Sequence, residues 1–227
     1  ISSRMTSQIR GLDQGVRNAN DGISMLQTAE GATQEISNML QRMRELAVQA
    51  ANDTYGTTDR TAIKTEVTEL ASEITRISSN TQWNGMSVLA SASTYTFQVG
   101  SGSSSTSSID VSFSTTMSAS NLGVSSASLD LTSNTFAQAS ISSIDTAISS
   151  VNTFRSTLGA KINRLTSAAD NLANISMNTA ASRSRIEDAD YAHATTELAR
   201  AQIIQQAGTA MLAQANQQPQ AVLSLLK

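Results

Sequence analysis

The 227-residue sequence carries a net charge of −3, from 15 Lys+Arg against 18 Asp+Glu, and so has no basic footprint for nucleic acid or for an anionic membrane. It contains no cysteine, which excludes disulfides, thiolate zinc sites and cysteine nucleophiles. Hydrophobic residues make up 39% but aromatic residues only 4%, so the core must be built from small and aliphatic side chains between close helices, with Trp83, Phe97, Phe113, Phe136 and Phe154 left to anchor any bulkier cluster.

The first element is a long helix. Apolar or small residues recur at steps of four and three through Met5, Ile9, Leu12, Val16, Ala19, Ile23 and Leu26, and then through Ala29, Thr33, Ile36, Leu40, Met43, Ala47 and Ala50. A repeat averaging close to 3.5 residues asks for a partner helix along its whole length. Turn formers from Asn52 to Gly56 end it. A second helix follows, with Asp59 as N-cap and Ile63, Val67, Leu70, Ile74 and Ile77 on its apolar face, until Ser78, Ser79 and Asn80 close it. It folds back on the first as an antiparallel hairpin. The loop from Thr81 to Leu89 then reads as a turn at Trp83, Asn84 and Gly85 with an apolar plug.

Between Ala90 and Thr135 the composition shifts to serine, threonine and glycine. Two alternating runs, Tyr95 to Val99 and Ile109 to Phe113, predict a β-hairpin joined by a loop over Gly100 to Ser108. Helical spacing returns at Ile141, Ile144, Ile148 and Val151 and continues through Leu158, Ile162, Leu165, Ala169, Leu172 and Ile175. A fourth segment runs from Glu187 to Ser224, interrupted at Gly208 and Pro219. The fold class is mainly α: a long antiparallel coiled-coil rod of helices with a small β-hairpin region inserted in the middle. The expected domains are 1–90, the amino-terminal part of the rod; 91–135, a short Ser/Thr-rich β region; 136–185, the carboxyl-terminal rod helix; and 186–227, a carboxyl-terminal helix lacking a packing partner.

Catalytic chemistry has little to draw on. His193 is the only histidine; a histidine metal site needs help from Cys, a second His or clustered carboxylates, and a Ser-His-Asp triad cannot be argued from one histidine alone. Glu187, Asp188 and Asp190 follow Arg183 and Arg185, a pattern expected from ion pairing and the dipole of a helix. No phosphate-binding glycine loop, paired-histidine zinc motif or calcium loop is present, so the reading is no enzyme and no cofactor or metal. No run approaches about 18 consecutive apolar residues, so no membrane insertion is expected. The Gln/Ala-rich end instead carries Leu198, Ile203, Ile204, Met211, Leu212, Leu223 and Leu226 without a matching helix elsewhere in the sequence. These are candidates for packing against other chains, where small neighbouring residues let backbones approach.

Two pairs of stretches resemble bacterial flagellin: RNANDGISMLQTAEGA (Arg17 to Ala32) with LQRMRELAVQAAN (Leu40 to Asn52), and SRSRIEDADYA (Ser182 to Ala192) with RAQIIQQAGTAMLAQANQQPQAVLSLLK (Arg200 to Lys227). TQWNGMSVL (Thr81 to Leu89) is similar to that family's loop after the helical hairpin, with Trp83 where Phe is more usual. The resemblance spans essentially the whole sequence. It implies a filament subunit for cell motility, exported unfolded and located outside the cell in the flagellum or on the cell surface. Other flagellin subunits, an export chaperone and the filament cap are the implied partners. The family's rod is preceded by a further helical segment that pairs with the carboxyl-terminal helix, so the stretch from Tyr191 to Lys227 is expected to lack its partner here, and the 227-residue chain alone to remain unpolymerised. In flagellins that animal hosts detect through a Toll-like receptor, the contact lies on the first rod helix and the next one. The matching positions are Arg42, Leu46 and Glu66, with Met43 in place of Val, and these residues serve equally as a surface between subunits. Two competing readings are a surface adhesin that binds polysaccharide through the Ser/Thr-rich region, and a hook-filament junction protein with similar ends.

Overall fold

The computed structural model describes residues 1–113 and 116–225, and the side chains of these except at 188–190 and 217–225. Three helices, α1 (Ser2–Ala50), α2 (Thr57–Asn80) and α3 (Asn134–Leu225), frame two small antiparallel hairpins, β1 (Gln82–Trp83) with β2 (Met86–Ser87) and β3 (Ser93–Gln98) with β4 (Ser108–Phe113). Two compact units divide the chain, one made of Arg10–Ile175 and the other of Ile1–Ile9 with Ser176–Lys227.

In the larger unit the amino-terminal stripe is the inner face of α1. From Leu12 onward its members are buried, except Val16 and Ile23, which are half-buried against the same core. Thr33 fits in this apolar row because its hydroxyl donates to the carbonyls of Ala29 and Glu30, so no donor is left unpaired. Ile63, Val67, Ala71 and Ile74 of α2 and Ala137, Ile144, Ala147, Val151, Leu158 and Leu165 of α3 complete one continuous core.

Ion pairs mark the register of these helices at their edges. Arg44 of α1 meets Asp145 of α3 at 2.6 Å, while Glu30 and Arg155 form the reverse pair at 3.7 Å. A shifted alignment of the two helices would lose both. Lys64 of α2 binds Asp130 at 3.2 Å, and the Ser140 hydroxyl donates to the Asp130 carbonyl. The Asp130 carboxyl is held below the usual aspartate range, first by the Thr132 backbone N–H and then by Lys64. At the far end the Asn134 side chain donates to the carbonyl of Ala51, which joins the start of α3 to the end of α1.

Asp59 differs from its expected role. Gly56 is the N-cap of α2, and Asp59 sits in the first turn, where its carboxylate accepts from the Gly56 N–H at 3.2 Å. A carboxylate three residues inside the helix satisfies the same exposed amides and also meets the positive end of the dipole.

The β3–β4 hairpin pairs Tyr95 with Val111 and Phe97 with Ile109. Its inner face sets Phe113 edge-on to Tyr95, with ring centroids 5.6 Å apart, and 5.9 Å from Phe154 of α3. Asn18 of α1 donates to the Gln98 carbonyl at 2.9 Å and Lys161 of α3 to that of Asp110 at 2.7 Å, so the hairpin is tied to two helices. The approach is close and favours glycine. A Cβ on Gly15 would lie 3.0 Å from the Val99 carbonyl oxygen and 3.2 Å from Leu172 Cδ1. Gly15→Val is therefore expected to lift the hairpin from α1 and destabilise the unit by about 1–3 kcal/mol, the usual range for overpacking. Chemical denaturation with hydrogen exchange at 93–113 checks this: exchange there should accelerate more than in α2.

Two further expectations need correction. Phe136 is 53% exposed and anchors nothing in the core; the aromatic cluster is Tyr95, Phe113 and Phe154. The Ser/Thr-rich stretch holds more than a hairpin, since Met117, Ala119, Leu122, Val124, Leu129 and Leu131 are all buried. They lack a 2- or 3.6-residue period because they lie in irregular turns, each side chain aimed inward by local geometry.

The third and fourth helical segments are one helix, α3, continuous from Asn134 to Leu225 and through Gly208. The apparent break after Ile175 is a gap in large apolar residues, and a helix keeps its backbone bonds through such a gap when no proline interrupts it. No helix is long and apolar enough to cross a membrane, among the described residues.

Candidate assembly surface

The pair Arg42 and Glu66 is formed by adjacent faces of α1 and α2 in the larger unit. Arg42 reaches Glu66 through Nε at 3.0 Å and Nη2 at 2.9 Å, and Glu45 through Nη1 at 3.2 Å. Hydrogen bonding to Glu66 raises the Arg42 pKa above its ordinary value, and Glu45 adds to the shift. Both members of the pair are about half exposed, so the contact orders a surface feature and contributes little to stability.

Leu46 does not share that surface. It is 3% exposed and belongs to the α1 core face. One turn beyond Arg42, it falls beside Ala47 and Met43, on the side α1 turns inward. The three-residue surface expected from Arg42, Leu46 and Glu66 therefore reduces to the polar pair, and Leu46 acts on it only by holding α1 in place. The row Met5 to Ala50 did not include Leu46, Gly15, Gly22, Met25 or Ser37, all of which are buried. A buried face wider than a single 3.5-residue seam accounts for them, and at Gly15 and Gly22 Val99 and Phe97 of the β3–β4 region widen it.

The second candidate surface lies in the smaller unit. There the Ser2 hydroxyl donates to Glu187 at 3.2 Å and Arg183 donates to the Thr6 hydroxyl at 3.1 Å. Farther along α3, Leu198, Ile203, Ile204, Met211 and Leu212 are each between 60% and 71% exposed. Successive helical residues are about 100° apart, so these five side chains spread over an arc of roughly 220° around the helix axis. One neighbouring helix covers a stripe of about half that width. Leu223 and Leu226, named with them from sequence, have side chains outside the described residues, as do Asp188 and Asp190. His193 is exposed on the same helix. Among the described residues no group of three or more His, Cys, Asp or Glu could hold a metal ion.

Residues 1–94 match the bacterial flagellin N-terminal helical region, and residues 141–226 match the bacterial flagellin C-terminal helical region. A flagellin of Halalkalibacterium halodurans is 46% identical over 228 residues, covering all of this chain and 83% of the relative. Flagellin FlaB2 of Treponema pallidum is 38% identical over 242 residues, again covering all of this chain, and 84% of that protein. Among solved structures, the crystal structure of Bacillus cereus flagellin superimposes with a TM-score of 0.59 at 32% identity, over 69% of this chain and 88% of the other. A putative flagellar hook-associated protein from Vibrio parahaemolyticus aligns with a TM-score of 0.65 over 80% of this chain and 94% of its own length, but at 14% identity, a likeness of fold alone.

Proposed function

This chain belongs to the bacterial flagellin family and is a structural subunit of the flagellar filament, outside the cell, and on that premise we propose that the exposed part of α3 from Leu198 to Leu212 is the surface through which copies pack together. One observation carries the proposal: large aliphatic side chains exposed on a wide arc of a single helix. Such a helix is stable in water only at the expense of apolar surface, and it gains by being enclosed from several sides. Heterologous contacts of this kind do not close on themselves and so propagate into a helical tube.

Because the chain has no cysteine, Leu198→Cys gives a single thiol for labelling. The thiol is expected to react rapidly with a maleimide in dissociated subunits and to be protected in filaments sheared from cells. Equal reactivity in both states would remove Leu198 from the interface. The Arg42–Glu66 pair supports a second contact, with a neighbouring subunit or a host Toll-like receptor, because its geometry is fixed before any partner arrives. Exchange of an export chaperone or filament cap for subunits on the α3 surface follows the same logic, since each would have to cover the same aliphatic arc.

A further inference from the structure

The chain has a single Asn-Gly pair, Asn84–Gly85, and it occupies the two-residue turn between β1 and β2. Both residues are left-handed, with φ of 49° at Asn84 and 77° at Gly85, the combination of a type I′ hairpin turn. Asn84 is exposed, and no hydrogen bond engages its side-chain amide among the described residues. Gly85 is exposed and a Cβ placed on it would meet nothing within 4 Å, so the turn stands in open space on that side. Every other asparagine is followed by a residue that carries a side chain, and Asp21–Gly22, the related acidic pair, is held within α1.

We propose that Asn84 is a site of spontaneous deamidation, at which the chain acquires a negative charge and an altered turn with age. The Gly85 backbone nitrogen attacks Asn84 Cγ and gives up its proton. The new N–Cγ bond closes a five-membered succinimide as the bond from Cγ to the side-chain nitrogen breaks and ammonia leaves. Water then opens the ring at either carbonyl, giving aspartate or isoaspartate. No oxidant or further reactant is needed. In the isoaspartate product the main chain runs through the side-chain carbon and is longer by one methylene, so a two-residue turn no longer closes the Trp83–Met86 pair. Trp83 is the only tryptophan, it adjoins the site, and it is half-buried against the core, so it reports on the turn directly.

The test is incubation of the full chain in mildly alkaline buffer, with protease mapping by mass spectrometry and tryptophan emission followed together. Asn84 is expected to lose its amide while the other asparagines keep theirs, faster at higher pH, as a doublet of aspartate and isoaspartate peptides, with Trp83 emission moving to the red in step. Asn84→Gln, whose longer side chain closes a less favoured ring and which leaves Gly85 in place, should hold both amide and emission constant. Gly85→Ala should slow the loss, and Asn84→Gln keeps the comparison valid where alanine at a positive φ distorts the turn. If the folded chain retains the Asn84 amide while the chain in denaturant loses it, or if another asparagine reacts first, the proposal is overturned.

Discussion

Replacement of both Ile203 and Ile204 by aspartate is expected to abolish filament formation while leaving the larger unit folded. Each isoleucine is about two-thirds exposed on α3. Enclosing such a side chain at an interface contributes about 1.5–3 kcal/mol, and an unpaired carboxylate brought into the same place costs several kcal/mol more. The loss recurs at every copy, so it multiplies along a polymer. Electron microscopy of cells that express the variant in place of the wild type provides the check. Circular dichroism and the denaturation midpoint of the secreted subunit should match wild type, because both residues belong to the smaller unit and neither is a member of the core built within 10–175. Normal filaments on the variant cells would remove this stretch of α3 from the assembly surface.

The second large effect is expected at Leu46. Were Leu46 a surface contact, Leu46→Asp would change binding and leave stability nearly untouched. The structure leads to the opposite expectation. The side chain is buried, as are Met43, Ala47 and Ala50 on the inner face of α1. Removing it as Leu46→Ala should cost about 2–5 kcal/mol through lost burial and the cavity left behind. Aspartate should cost more, because an unpartnered carboxylate there either stays charged without water or takes up a proton. With a typical domain stability of about 5–15 kcal/mol, Leu46→Asp approaches the point of unfolding the larger unit. Thermal or urea denaturation of Leu46→Ala, Leu46→Asp and Arg42→Ala should separate the three. The first two should be strongly destabilised in that order, and Arg42→Ala should stay near wild type. Any loss of receptor or subunit binding in Leu46→Asp then reflects unfolding, whereas a loss in Arg42→Ala with unchanged stability reports on the surface itself.

The helices were legible because each repeats its instruction many times. The α1 row from Leu12 to Ala50 states one direction at every turn, and burial follows it with few exceptions. The β3–β4 hairpin was legible for the same reason, as Tyr95, Phe97, Ile109, Val111 and Phe113 alternate with polar residues. Where the repeat stopped, so did the reading. Met117 to Leu131 contributes six buried residues with no period, and the expected division at 185/186 falls inside α3, which runs through it.

The candidate surfaces divide along the same line. The exposed aliphatic arc from Leu198 to Leu212 was legible because a surplus of apolar residues with no partner in the sequence is a property of composition and spacing. Whether Leu46 faces inward or outward was not, because it lies at the edge of the α1 stripe and its burial depends on the width of what packs there.

By itself, the sequence determined that this is a cysteine-free chain of long antiparallel helices with a small hairpin, of the flagellin family, and with a surplus of aliphatic side chains between Leu198 and Leu212. Only the tertiary structure decided that Arg42 is locked to Glu66 at 2.9 Å, that Gly15 is pressed against the hairpin, and that Leu46 is core. The physical reason is one of range. Periodicity is set by bonds between residues three or four apart and is written locally. The exposure of a residue at the edge of a helix face depends on which distant segment arrives, and at what distance.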